Sequence, residues 1–190
     1  MTMPPVPDPG SIPGGTLWVF AYGSLMWRPD FPYREKASVV VHGYHRALCM
    51  YSYQYRGTKQ RPGLIFGLDR GGSCRGLAFR IAKSRTVEVL EKLWRREMVT
   101  AIYRPRWLRT ALPDGRAVRV LAFVADPAHE QYAGRPSDDE ALRLVLQGKG
   151  SVGPCLDYIE NTLQHLEELG IHDPHLRRII NLAASAGRKT

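Results

Sequence analysis

Cysteine is scarce in this 190-residue sequence, and no apolar run is long enough to cross a lipid bilayer. Cys49, Cys74 and Cys155 are widely spaced and form no Cys-x-x-Cys pair. This pattern argues against a disulfide framework and against a thiolate metal site. We therefore expect a reducing, cytoplasmic location, no association with a membrane, and neither a metal nor another cofactor.

Acidic residues are also few. The sequence has 18 Asp and Glu but 27 Lys and Arg, which gives a net charge of +9. The strongest case for a nucleic-acid partner is a tyrosine-rich strand beside two basic residues: Tyr51, Tyr53, Tyr55, Arg56 and Lys59. The basic residues are nevertheless spread along the chain, and alternating aromatics are common on sheet surfaces. We predict no nucleic acid as the primary partner. A positive field around a cleft would also attract a small substrate that carries carboxylates, and the charge alone does not choose between these partners.

One acid falls on the apolar face of a predicted helix. That face comprises Val87, Leu90, Trp94 and Glu97, and Arg95 and Arg96 point elsewhere. Burial and the nearby helix C-terminus both raise the pKa of a carboxyl group, so Glu97 is a candidate proton donor and acceptor. The alternative is a partly buried structural ion pair between Glu97 and Arg95, Arg96 or Arg104.

A second candidate feature lies upstream, where a continuous apolar run, 17–22, ends at Gly23-Ser24-Leu25. Such a run is typical of a buried strand, and a Gly-Ser break allows a sharp turn with free N–H groups. These groups are suited to an anion or a polarised carbonyl. An ordinary strand-to-turn junction has the same sequence pattern, so this feature needs support from others.

Short segments separated by Gly and Pro indicate an α+β domain built on a curved or closed sheet. We predict one or two strands in 38–53, a hairpin with strands at 63–68 and 75–81, and two further strands at 102–110 and 118–124. Helices are expected after Ser84, Ser137 and Asp173, and along the stripe Leu156, Ile159, Leu163 and Leu166. The domain boundaries are predicted as a flexible Pro/Gly-rich arm at 1–16, a single domain at 17–183 and a tail at 184–190.

Several segments together resemble the ChaC-like γ-glutamylcyclotransferases of the glutathione-specific type. They are the run 18–27 with its Tyr-Gly-Ser-Leu motif, Arg61-Pro62-Gly63, the stretch 93–98 around Glu97, and Asp157-Tyr158. The resemblance covers about 18–182. It implies a small β-barrel with helices packed against it.

The resemblance also implies an activity, the cleavage of glutathione into 5-oxoproline and Cys-Gly, and it assigns three parts of the site. Glu97 matches the catalytic acid/base, and Tyr158 matches a tyrosine of the substrate site. The substrate-binding loop is matched by Val19, Phe20, Ala21, Tyr22, Gly23, Ser24 and Leu25. Two positions depart from the family pattern: Ala21 replaces a glycine, and 154–156 replaces a more polar approach to Tyr158.

Other functions remain open at this point. One alternative is activity on other γ-glutamyl amino acids or γ-glutamylamines, because the ring-closing half of the substrate is the same. Another alternative is a non-catalytic module that binds γ-glutamyl metabolites. A metal site at His172 and His175 lacks a third ligand, and Ser24 lacks the Gly-x-Ser-x-Gly pattern of a nucleophile, so neither is favoured. The sequence predicts no particular oligomeric state.

Overall fold

The computed structural model describes residues 4–98 and 100–187. Within them the chain forms two compact units. The first unit takes in residues up to 46 and 67–126, and the second takes in 47–66 and the residues from 127 onward. The predicted single domain at 17–183 stays a prediction.

The main sheet has five strands in the order β2-β3-β1-β5-β4. The strands are β1 Trp18–Ala21, β2 Glu35–Ser52, β3 Gly63–Arg80, β4 Tyr103–Ala111 and β5 Ala117–Ala125. β4 and β5 pair in antiparallel register from Tyr103 opposite Ala125 to Ala111 opposite Ala117. β1 pairs antiparallel with β3 and parallel with β5. The two strands predicted at 102–110 and 118–124 are therefore present. Of the one or two strands predicted in 38–53, the structure has a single long strand.

The hairpin predicted within 63–81 is wrong, because both segments belong to the single strand β3. β3 is antiparallel to β1 near Phe79 but parallel to β5 at Leu68, although β1 and β5 are themselves parallel. The strand must therefore change direction between these points. Gly71 and Gly72 lie in this interval with φ of 94° and 66°, values that favour glycine. The Gly-Gly pair thus bends a continuous strand and does not end it.

The helix of the first unit, α1 Thr86–Glu97, packs its apolar face on the sheet. The Trp94 ring meets Phe123 of β5 edge to face at 5.6 Å between centroids. Two details of the predicted helix are wrong. Val87 is exposed, and the buried face is formed by Thr86, Val89, Leu90, Leu93 and Trp94. The residue that precedes α1 is Arg85, because a short 3₁₀ turn, Lys83–Arg85, occupies the position expected for the Ser84 cap.

The segment predicted as an N-terminal arm contains two short 3₁₀ turns, Pro9–Ser11 and Pro13–Gly15. Asp8 accepts a hydrogen bond from the Gly10 amide, and Ile12 is buried. The indole N–H of Trp94 donates to the Pro4 carbonyl oxygen at 2.9 Å. Residues 4–16 therefore have defined contacts within the first unit.

The second unit contains three helices, α2 Asp138–Gln147, α3 Cys155–Glu168 and α4 Pro174–Gly187, and the short pair β6 Lys149–Gly150 and β7 Gly153–Pro154. The predicted cap of α2 is confirmed, since the Ser137 hydroxyl accepts from the Glu140 amide. Asp173 similarly accepts from the Leu176 amide at the start of α4. The predicted tail at 184–190 overlaps the end of α4, and 188–190 lie outside the described residues.

Within residues 4–98 and 100–187, none of the helices is both long and apolar enough to span a bilayer. The same residues contain no cluster of three or more His, Cys, Asp or Glu side chains that could hold a metal ion. All three cysteines are buried free thiols.

Candidate active site

β1 brings the candidate loop to the centre of the first unit. Its four apolar residues are all buried, and Val19, Phe20 and Ala21 have no exposed surface. β3 approaches β1 closely at Gly76, where an added Cβ would lie 2.3 Å from the Ala21 carbonyl oxygen. The strand that leads into the loop is therefore held on a crowded, solvent-free path.

Two side-chain hydrogen bonds hold the start of the loop. The Tyr22 hydroxyl donates to the Phe123 carbonyl oxygen of β5 at 2.9 Å. The Arg46 guanidinium donates to the Tyr22 carbonyl oxygen at 2.5 Å and to the Arg75 carbonyl oxygen at 2.8 Å. Tyr22 thus has a structural role, because its phenol is engaged inside the sheet.

The loop itself presents backbone donors. After Gly23 the chain enters a 3₁₀ turn, Ser24–Met26, closed by a bond from the Met26 amide to the Gly23 carbonyl oxygen. The amide N–H groups of Gly23, Ser24 and Leu25 have no acceptor within residues 4–98 and 100–187. Adjacent, unused N–H groups of this kind suit a carboxylate or a polarised carbonyl oxygen.

Glu97 is the last residue of α1, and only 17% of its side chain is exposed. Removal from water raises the pKa of its carboxyl group above the ordinary value of 4.5, and the positive charge of Arg96 opposes this shift. The inward placement expected from the helical spacing is thus present. A carboxyl group with a raised pKa can both accept and donate a proton near neutral pH.

Arg96 connects Glu97 to the loop. Its Nε lies 3.2 Å from Glu97 Oε1, and its terminal nitrogens donate to Ser24 Oγ at 3.0 Å and to Asp30 Oδ2 at 2.7 Å. It also donates to the Arg28 carbonyl oxygen at 2.6 Å. One guanidinium therefore fixes the end of α1 against the segment that follows β1.

This contact was only partly anticipated by the sequence. The expectation that Arg96 points away from Glu97 is wrong, and the alternative ion pair is present with Arg96. Arg95 instead faces Glu91, and Arg104 pairs with Asp126. A guanidinium on a long, flexible stem can reach a neighbour that helical angles alone would place out of reach.

Tyr158 lies on α3 in the second unit and is half-buried. Its ring packs against Phe66 with 5.7 Å between centroids, and the Arg56 guanidinium lies 5.3 Å from the ring centroid. Arg56 is itself held by the carbonyl oxygens of Val152 and Pro154, each at 3.0 Å. Tyr158 is thus fixed by an aromatic contact on one side and a cation–π contact on another.

Comparisons with known proteins show the family of this chain. The family model described as ChaC-like protein matches residues 17–186. The chain belongs to the ChaC-like family. A glutathione-specific γ-glutamylcyclotransferase of Escherichia coli is 34% identical over 87% of this chain and 72% of its own length. A human protein named glutathione-specific γ-glutamylcyclotransferase 1 is 31% identical over 87% of this chain and 77% of its own.

A solved structure confirms the expected fold class of this ChaC-like chain. The crystal structure of a γ-glutamyl cyclotransferase specific to glutathione from yeast matches with a TM-score of 0.80 at 19% identity. The match covers 90% of this chain and 96% of the yeast chain. The α+β prediction with a curved sheet is confirmed, and the sheet is a curled, five-stranded half-barrel.

Each departure from the family pattern includes a buried residue. Ala21 lies fully inside β1, where its methyl group adds little volume. Cys155 begins α3, and its Sγ accepts from the Leu64 amide and donates to the Leu64 carbonyl oxygen. Burial raises the pKa of this thiol to about 11. Cys155 therefore joins α3 to β3 within the second unit as a neutral, unreactive group.

Proposed function

We propose that this chain is a γ-glutamylcyclotransferase that cleaves glutathione into 5-oxoproline and Cys-Gly. The observation that carries the proposal is the placement of Glu97, a carboxyl group with a raised pKa that Arg96 ties to the donor-rich loop at 23–25. The relatives add support, because several are named glutathione-specific γ-glutamylcyclotransferases. A cytoplasmic location belongs to the same proposal and fits the three free thiols.

The reaction needs no external nucleophile. In a γ-glutamyl peptide the α-amine can fold back on the γ-carbonyl carbon and form a five-membered ring. The new C–N bond makes a tetrahedral intermediate, whose collapse breaks the bond to the nitrogen of the next residue. The α-ammonium group must first lose a proton, and the leaving nitrogen must gain one. The enzyme must therefore hold the folded substrate, move a proton and stabilise an oxyanion.

Each of these tasks has a candidate group in the first unit. Glu97 accepts the proton from the ammonium group and then returns it to the leaving nitrogen. The free amides of Gly23, Ser24 and Leu25 donate hydrogen bonds to a substrate oxygen, and Val19, Phe20, Ala21 and Tyr22 set the position of those amides. Arg96 is a positioning residue, since it holds both Ser24 and Glu97.

Tyr158 is proposed as a further substrate-binding residue on the strength of the motif match. Its ring is already engaged by Phe66 and Arg56. Tyr158→Phe preserves these ring contacts and removes the hydroxyl alone. If the hydroxyl bonds the substrate, this variant raises KM several-fold.

The deciding experiment follows 5-oxoproline formation from glutathione and, separately, from γ-glutamyl-alanine. Wild type is compared with Glu97→Gln and with Glu91→Gln, which makes the same change at an exposed position of the same helix. We expect 5-oxoproline from glutathione with wild type and Glu91→Gln but not with Glu97→Gln.

The other outcomes each overturn part of the proposal. Release from γ-glutamyl-alanine alone would move the specificity to other γ-glutamyl amino acids. Substantial turnover by a folded Glu97→Gln protein would remove Glu97 from the chemistry. No 5-oxoproline from either substrate, together with measurable binding of glutathione, would favour a non-catalytic binding module.

A further inference from the structure

The first unit contains a second candidate site, away from the residues proposed for catalysis. It is a cavity of about 590 Å³ between the segment 13–18 and the β4–β5 hairpin. Four arginines line it: Arg80, Arg109, Arg116 and Arg119. Neither Glu97 nor any residue of the loop at 22–25 belongs to its wall. Small-molecule sites in proteins commonly have volumes of about 300 to 1,000 Å³, so its size suits a metabolite.

Two of these arginines form an uncompensated pair. Arg109 of β4 lies directly opposite Arg119 of β5 in the antiparallel ladder, so both side chains leave the same face of the sheet. Neither side chain has a hydrogen bond or an ion pair with any residue in 4–98 or 100–187. Like charges directly opposite each other destabilise a sheet, because their Cβ atoms are only about 5 Å apart. The protein thus bears an electrostatic cost at this point.

The other two arginines are compensated by acids. Arg80 Nε lies 2.8 Å from Glu35 Oε2, and a terminal nitrogen of Arg116 lies 2.6 Å from Glu35 Oε1. Arg116 also pairs with Asp114 at 2.7 Å. These acids hold their guanidinium groups along the wall of the cavity. The excess positive charge of the site therefore lies on Arg109 and Arg119.

We propose that this cavity binds a small molecule carrying two neighbouring anionic groups, either a diphosphate or a dicarboxylate. The planar guanidinium fork matches both phosphate and carboxylate oxygens, and two forks side by side suit two adjacent anions. A ligand bridging Arg109 and Arg119 would also relieve their mutual repulsion. The site is separate from the proposed cyclotransferase site, and its occupancy does not depend on turnover.

The test is isothermal titration calorimetry with inorganic pyrophosphate and, in a separate arm, with succinate. Wild type is compared with Arg109→Gln and with Arg106→Gln. Arg106 is exposed on the same strand but points to the opposite face, because it is three residues away, and it does not line the cavity. The two variants lose the same charge, so they separate a built site from diffuse attraction.

We expect at least one of the two ligands to bind wild type and Arg106→Gln equally well, and to bind Arg109→Gln at least tenfold more weakly. Binding of pyrophosphate alone assigns the ligand to phosphates, and binding of succinate alone assigns it to dicarboxylates. At low salt Arg109→Gln without ligand should melt at a higher temperature than wild type, since the repulsion is gone. Glu97→Gln should bind as wild type does, whether or not the proposed cyclotransferase activity is found.

Three results would overturn the proposal. The first is that neither ligand binds wild type in dilute buffer. The second is that Arg106→Gln weakens binding as much as Arg109→Gln does. The third is that a single-stranded oligonucleotide binds more tightly than either small ligand, and that its binding depends equally on Arg106 and Arg109. That result would identify an extended basic surface for a polyanion and not a cavity for a small molecule.

Discussion

Two glutamates of the first unit face arginine and yet have opposite properties. Glu35, at the start of β2, is 30% exposed and is held by two guanidinium groups at 2.8 and 2.6 Å. Its pKa is lowered, first by Arg116 and then by Arg80. Glu97 is 17% exposed and faces one guanidinium at 3.2 Å, and burial raises its pKa.

The difference shows that the presence of an arginine does not by itself set the state of a carboxyl group. Two short, charge-assisted hydrogen bonds outweigh the modest loss of solvent at Glu35. At Glu97 one longer contact does not offset burial, since Arg96 also bonds Ser24, Asp30 and the Arg28 carbonyl oxygen. Glu35 is therefore a structural anion, and Glu97 retains the capacity to exchange a proton.

The largest expected effect comes from making the same substitution at both positions. Glu97→Gln should lower kcat for 5-oxoproline formation by about 10²- to 10⁴-fold, the usual contribution of a general acid–base group. Glu35→Gln should leave kcat within about twofold, because its carboxylate bonds only surface arginines. Steady-state kinetics on both variants measures the contrast. Equal losses would show that the two carboxylates do not differ in function.

The next effect concerns Arg96. Glu97 must be ionised to accept the substrate's proton, so the rate rises as the pH passes upward through its pKa. Arg96 holds that pKa down, so Arg96→Gln should move the acidic limb of the kcat/KM profile to higher pH. Loss of the bond to Ser24 should lower kcat/KM by about tenfold, the equivalent of about 1.4 kcal/mol. Arg95→Gln is the control and should leave the profile in place.

A smaller effect is expected on the stability of the Glu97 variant. A raised pKa means that the folded protein binds the proton more tightly than the unfolded chain does. The free energy of unfolding therefore falls as the pH rises from the ordinary value of 4.5 through the raised pKa. The Glu97→Gln protein does not lose this free energy of unfolding. Its melting temperature should therefore be higher than that of wild type at about pH 8 and close to it at about pH 4.5. A constant difference across this range would contradict the assignment.

The smallest effect is expected at Glu35, where the sign is opposite. A lowered pKa contributes stability above the ordinary value of 4.5, and this contribution is lost as the pH falls through the lowered pKa. Glu35→Gln should melt slightly below wild type at neutral pH, and both acidic pH and high salt should remove the difference. Glu91→Gln, which breaks only a 3.9 Å surface contact, should show no such difference.

The sequence predicted those parts of this architecture that depend on local patterns. The β4 and β5 strands, the Ser137 cap and the inward placement of Glu97 all follow from alternation, capping chemistry or helical spacing. Short motifs in the expected order indicate the family. In each case the signal lies within a few residues of the feature it predicts.

The remaining parts depend on contacts between distant segments. Arg96 reaches Ser24 and Asp30 across more than 60 positions of sequence, and helical angles do not predict how a long side chain bends. Gly71 and Gly72 have the composition of a hairpin turn, but the ladders of β3 show a bend within one strand. The pairing of Arg109 with Arg119 required the register of β4 and β5, which no local pattern specifies.

The close approach at Gly76 has a consequence for mutational scanning. Any larger residue there would clash with both the Ala21 carbonyl oxygen, 2.3 Å from the new Cβ, and the Phe20 ring, 2.8 Å away. Both belong to the strand that sets the position of the Gly23–Leu25 amides. In a survey of single substitutions, changes at position 76 should therefore impair function as strongly as changes at the catalytic positions do, although Gly76 contributes no side chain to the site. Its tolerance of alanine would measure how far the loop can shift before function is lost.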